Sequence, residues 1–123
     1  MGDAGYGTGR RALTMRVMIL EDDPLIALDL CLIVEEAGHE VAAVCASRRE
    51  GLAAIERGID FALLDIDVLD GKSFPLAEAL RARAIPFAFV SASLRGELPP
   101  SLAGAPFIAK PFAVPAIVGA LTP

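Results

Sequence analysis

The sequence predicts an α/β fold, a doubly wound five-stranded parallel sheet, on three observations. Strand-like segments built on apolar runs recur at residues 16–20, 40–45, 60–64, 86–90 and 106–109, and the first carries no polar alternation, as a strand buried on both faces should not. Stretches bounded by helix caps lie between the runs, and strands alternating with helices mark a parallel sheet covered on both sides. Polar residues that carry chemistry stand immediately after four of the runs, where open parallel sheets place their ligand sites.

The elements follow in order. Residues 16–20 form the first strand. Asp23-Pro24 opens a helix, because Asp caps well and Pro suits the first helical position; the helix runs to Ala37, and Gly38 ends it. Residues 40–45 make the second strand. Ser47 and Glu50 match the S-x-x-E capping box of a helix that ends at Gly58. Residues 60–64 are the third strand, and Ser73 caps a helix over 74–83. Pro86 to Val90 is the fourth strand, 106–109 the fifth and 113–121 a short last helix. Residues 92–105 hold Gly96, Pro99, Pro100 and Gly104, so a loop with one or two helical turns is expected in place of a full helix.

The 123 residues suit one domain, over 15–123, behind a Gly-rich leader at 1–14. A 54% hydrophobic content fills a core, and a net charge of −5 argues against nucleic-acid binding, which needs a basic face. No apolar stretch nears the ~20 residues that span a bilayer, and the N-terminus lacks the apolar region of a signal peptide, so the expected location is cytoplasmic. Cys31, Cys45 and His39 form no zinc pattern; both cysteines lie in apolar segments and are expected as free thiols.

Glu21 and Asp22 follow the first strand, Asp65 the third, Ser91 the fourth and Lys110 the fifth. Three acids packed together repel, and a divalent cation such as Mg²⁺ removes that penalty; Glu21, Asp22 and Asp65 supply the carboxylates, with the backbone carbonyl of Asp67 as a further ligand. Asp65 is the nucleophile toward a phosphoryl donor. The Ser91 hydroxyl and the Lys110 ammonium take up the phosphoryl oxygens. Singly each is weak, since acids often just occupy helix N-termini and a lone Ser is usually a turn residue. Together they point to a phosphoryl-accepting site.

These residues resemble a response-regulator receiver domain of flavodoxin-like architecture, over about residues 15–121. Glu21-Asp22 matches the family's acidic pair, Asp65 its phosphoacceptor, Ser91 its Thr/Ser, and Lys110-Pro111-Phe112 its Lys-Pro-Phe motif. The resemblance implies a cis peptide before Pro111, an aromatic switch residue at Phe107 that moves with Ser91, Mg²⁺ as cofactor, and a sensor histidine kinase or histidine phosphotransfer protein as phosphoryl donor. It implies signalling by docking or phosphate transfer, with no enzymatic activity beyond the domain's own phosphorylation and dephosphorylation. Two departures stand out. The loop Ile66–Gly71 is short and lacks Met-Pro, and the segment holding the family's fourth helix is broken by Pro and Gly. The second feature resembles an atypical subgroup of stand-alone receivers, and no output domain is expected after the last helix.

The first predicted helix has two apolar stripes. Ile26, Leu30, Ile33 and Ala37 suffice for a core face, while Leu25, Leu28 and Leu32 form a second. The second is either part of a wide core face or an exposed docking patch, and in the receiver family this helix is where the histidine-bearing bundle docks. A homodimer through the same face is the competing use.

A rival reading takes Asp65-Ile66-Asp67 as the first motif of a haloacid-dehalogenase-type phosphatase, with Asp67 as acid/base. Such enzymes carry their metal-binding acids after the lysine, and no acid follows Lys110 here. A flavodoxin-type cofactor binder would need a phosphate-cradling loop after the first strand, where Glu21-Asp22-Asp23 repels phosphate.

Overall fold

The computed structural model describes residues 14–121, so the expected leader at 1–14 lies, apart from Thr14, outside the described residues. Strand β1 (Arg16–Leu20) occupies an interior position in the sheet, and Val17, Met18, Ile19 and Leu20 are all buried, as a strand covered on both faces requires. The chain continues through α1 (Pro24–Glu36), β2 (Glu40–Cys45), α2 (Arg48–Ile55) and β3 (Phe61–Leu64). A short hairpin, β4 (Asp67–Val68) with β5 (Gly71–Lys72), precedes α3 (Phe74–Ala82) and β6 (Phe87–Ser91). Two 3₁₀ turns, Arg95–Glu97 and Pro100–Leu102, lead to β7 (Phe107–Ala109) and α4 (Val114–Ala120). The five long strands form one sheet in the order β2-β1-β3-β6-β7 with every pairing parallel. The expected fold is present, with strand ends displaced by no more than one residue.

Side chains alternate across the sheet and build two cores. Met18, Leu20, Leu64 and Phe89 pack under α2, α3 and the 3₁₀ segment, joined by Leu76, Leu80, Leu98 and Leu102. Val17, Ile19, Leu63 and Val90 pack on the other face with Leu30, Ile33 and Val34 of α1 and Ile117 of α4. Gly51 lets α2 and α3 approach: a Cβ there would lie 2.5 Å from a methyl of the buried Leu76.

The caps fall largely where the sequence puts them. The Asp23 carboxylate accepts from the N–H groups of Leu25 and Ile26, and Gly38, at φ +92°, ends α1 in the left-handed region that glycine tolerates. Ser47 accepts from the Glu50 N–H at 3.1 Å, but the Glu50 carboxylate takes the Ala46 N–H at 2.7 Å in place of the cap residue's own. The 92–105 segment has its two helical turns and no longer helix, because four Pro and Gly residues interrupt it. The β4–β5 hairpin was not read from the sequence. It is fastened to the start of α2, where the Asp70 carboxylate accepts from Arg48 N (2.7 Å) and Arg49 N (3.1 Å), two amides that the helix itself leaves unpaired.

Candidate functional site

From the interior strand β1 the chain moves outward to the edge strand β2, then returns to β3 on the opposite side of β1, so the sheet has a topological switch point at β1 and β3. Crevices at such points are where open α/β sheets bind ligands. Backbone hydrogen bonds run past the strand ends and hold the functional residues level with one another. Glu21 N donates to Cys45 O (2.8 Å), Asp65 N to Leu20 O (2.9 Å) and Lys110 N to Ser91 O (2.9 Å).

Five of the sequence-picked residues meet at this edge. The carboxylates of Glu21, Asp22 and Asp65 offer oxygen atoms within 4.8 Å of one another. Lys110 Nζ donates to Glu21 Oε1 at 2.7 Å and to Asp65 Oδ2 at 3.0 Å. The other oxygens of these acids are also engaged: Glu21 Oε2 accepts from Asp23 N at 3.0 Å, and Asp65 Oδ1 from Ile66 N at 2.8 Å. Glu21 and Asp65 are buried, as is Ser91, whose hydroxyl accepts from Ser93 N at 3.1 Å. The Lys110–Pro111 peptide is cis, as the resemblance implied.

Burial pushes the Glu21 carboxyl above its ordinary value despite the pull of the Lys110 hydrogen bond and the Asp23 N–H, and the charge of Asp65 adds to the push. Burial works against the Lys110 charge as well, but its bonds to Glu21 and Asp65 outweigh that effect and hold the ammonium above its usual range. Lys110 bridges Glu21 and Asp65, and the Asp22 carboxylate stands beside them. Three hard oxygen donors in such a space suit a divalent cation of the Mg²⁺ type.

Asp67 has a different situation. Its side chain is exposed and clasped by Lys72 Nζ (2.5 Å) and by the Ser93 hydroxyl (2.8 Å), which hold the carboxyl below the usual carboxylate range. A carboxylate held ionised is a poor general acid, which counts against the phosphatase reading. Only the Asp67 main chain is left for the ligand role expected of it.

Phe107 begins β7 opposite Phe89, and Ala109 lies opposite Ser91, so Phe107 and Ser91 are two residues apart in register on one face of the sheet. The Phe107 ring is half-buried, 6.5 Å from the Phe89 ring, with the Arg95 guanidinium 5.3 Å above it. On α1, Leu25, Leu28 and Leu32 are 74%, 54% and 51% exposed, whereas Leu30, Ile33 and Val34 are buried; the second stripe is surface and not core.

Ser73 corrects the expectation made for it. It occupies the cap position of α3 but makes no side-chain cap bond. Its buried hydroxyl donates instead to the carbonyl oxygen of Asp65 at 2.6 Å, fixing the backbone of that residue. Ser73→Ala is expected to cost about 1–3 kcal/mol, the penalty for a buried group that loses its partner, read as a lower urea midpoint. An unchanged midpoint would show the bond to be dispensable. Ser73, Ser93 and Lys72 were missed as site residues, since nothing in their local sequence distinguishes them from ordinary loop residues.

No family model matches the chain. PhyR of Methylorubrum extorquens, named a phyllosphere-induced regulator, is 36% identical over 108 residues, covering 81% of this chain and 39% of PhyR. The chain therefore spans about two fifths of that relative's length. SdrG from Sphingomonas melonis Fr1, a solved structure, is 34% identical over 90% of this chain and 96% of SdrG, with a TM-score of 0.79. The chain belongs to the response-regulator receiver family. The receiver domain of PhyR from Erythrobacter litoralis superposes as well, with a TM-score of 0.79 at 26% identity, covering 88% of this chain and 87% of that one. SdrG has also been solved in a BeF₃-activated conformation, with a TM-score of 0.75 to this chain at 34% identity, covering 90% of this chain and 96% of that one. As a receiver the chain is a two-component signalling domain, and no helix among its described residues is long and apolar enough to cross a membrane.

Proposed function

We propose that this receiver accepts a phosphoryl group on Asp65 from a phosphohistidine, with Mg²⁺ bound nearby, and passes on its state by docking or phosphotransfer. The observation that carries this reading is the Asp65 carboxylate, held between the Lys110 ammonium and the acids Glu21 and Asp22 at the switch point of the sheet. An Asp65 carboxylate oxygen attacks phosphorus, the bond from phosphorus to the histidine nitrogen breaks, and the imidazole leaves with the bonding pair and takes up a proton from solvent. Glu21, Asp22, Asp65 and the Asp67 carbonyl hold the cation, which when bound neutralises charge on the transferring group. Lys110 stands 3.0 Å from Asp65 and pairs with a phosphoryl oxygen once the acceptor is occupied. Ser91 donates to another, and Phe107 turns into the space that Ser91 leaves.

The exposed Leu25, Leu28 and Leu32 serve as the docking face for a sensor histidine kinase or histidine phosphotransfer protein, because they lie on the helix that starts beside Glu21 and Asp22. Two free cysteines accord with a reducing, cytoplasmic setting. Neither enzymatic turnover of an external substrate nor nucleic-acid binding belongs to this reading. The test is incubation with acetyl phosphate. The protein should gain a single phosphoryl group, mapped by mass spectrometry to Asp65, and excess chelator should abolish the gain. Labelling at another residue, or labelling indifferent to chelator, would sink the proposal.

A further inference from the structure

The half-buried Phe107 ring lies against the core ring of Phe89, tilted to it by 46°, and carries the Arg95 guanidinium over its face. Arg95 belongs to the first 3₁₀ turn, and its Nη1 also donates to the carbonyls of Ala103 (3.1 Å) and Ala105 (3.0 Å). One side chain thus closes the 95–105 segment on itself and covers the ring at the end of that segment. A guanidinium stacked on an aromatic face is attracted by the ring's electron cloud, and here the two carbonyl bonds fix it in place.

We infer that Arg95 is a positioning residue that holds Phe107 in the unphosphorylated arrangement, so that activation has to break the Arg95–Phe107 stack. This rests on the proposed movement of Phe107 toward Ser91. A ring that moves along its sheet face toward Ser91 leaves the guanidinium behind. The stack therefore stabilises only the resting state, and a contact made in one state alone biases the equilibrium between the two. Arg95 touches neither the acceptor nor the acids. It acts on phosphorylation only through the ring.

The experiment is a double-mutant cycle read by titration with beryllium fluoride and Mg²⁺, with a fluorine label on Phe107 reporting the ring by NMR. Arg95→Met keeps a long apolar stem and removes the cation. It should tighten beryllium fluoride binding about two- to fivefold, the scale of an exposed cation–π contact, and shift the resting ring signal toward its bound position. In a Phe107→Leu background the same change should leave the affinity unmoved, because there is no ring to hold. Arg95→Lys retains a cation but not the planar fork, and should fall between wild type and Arg95→Met. If Arg95→Met changes affinity equally in both backgrounds, Arg95 merely closes its loop and the inference fails while the switch stands. If the wild-type ring signal is indifferent to beryllium fluoride, the switch itself fails and the inference falls with it.

Discussion

Asp65→Asn protein is expected to take up no phosphoryl group from acetyl phosphate above background, under conditions where the parent is labelled to completion. An amide is not a nucleophile at neutral pH, so the acceptor is removed while its shape is kept. The structure favours Asn over Ala for this experiment. Asp65 Oδ1 accepts from the N–H of the buried Ile66 at 2.8 Å, and the Asn carbonyl can retain that bond. Alanine would leave the Ile66 N–H without that acceptor, at a cost of about 1–3 kcal/mol, and would confuse lost chemistry with lost stability. Lys110 keeps its 2.7 Å bond to Glu21 in either variant. Removing one of three clustered acids also relieves repulsion, which offsets the lost bond from Lys110 to Asp65. The Asp65→Asn protein should therefore fold as the parent does, checked by its denaturation midpoint. Undiminished labelling would mean that Asp22, Asp67 or another group is the acceptor.

Leu28→Glu, with Leu32→Glu as its companion, should separate docking from chemistry. Both leucines are about half exposed, on the side of α1 that turns away from the buried Leu30 and Val34. Glutamate is nearly as good a helix former as leucine, and exposed substitutions usually change stability by within about 0.5 kcal/mol. Labelling by acetyl phosphate, which needs no docking face, should be unaffected. Transfer from a phosphohistidine-bearing partner should slow by roughly 30-fold, the equivalent of losing one interface anchor worth about 2 kcal/mol. A normal transfer rate in the folded variant would place docking elsewhere. Sedimentation of the same variants tests the competing use, since a homodimer through this face would dissociate.

The receiver fold and the gathering of Glu21, Asp22, Asp65, Ser91 and Lys110 at one sheet edge were legible because they depend on patterns that lie close together in the chain. An apolar run of four residues followed by Glu21-Asp22, or of four followed by Asp65, announces a strand and what stands at its end. Parallel pairing then brings those ends to one edge, whatever the intervening residues do. Helix caps were legible for the same reason, as Asp23 and Gly38 illustrate. Ser73 marks the limit. Its cap position was read correctly and its bond was not, since the hydroxyl found a carbonyl eight residues back in place of its own helix.

The two apolar stripes of α1 could not be ranked from sequence. The leucines of one are chemically like those of the other, and only the placement of α1 against the sheet, beside α4, buries Leu30 and leaves Leu28 in solvent. The same holds for the clasp of Asp67 by Lys72 and Ser93, the fastening of Asp70 to α2 and the stack of Arg95 on Phe107. By itself, the sequence determined the order of elements, the buried strands and the acids, hydroxyl and ammonium at their ends, because periodicity and capping act between residues a few positions apart. Only the tertiary structure decided which loop side chains meet and which face of α1 stays exposed, because those contacts join residues far apart in the chain, Ser93 with Asp67 and Leu30 with Ile117 among them, whose approach is set by how the whole chain packs.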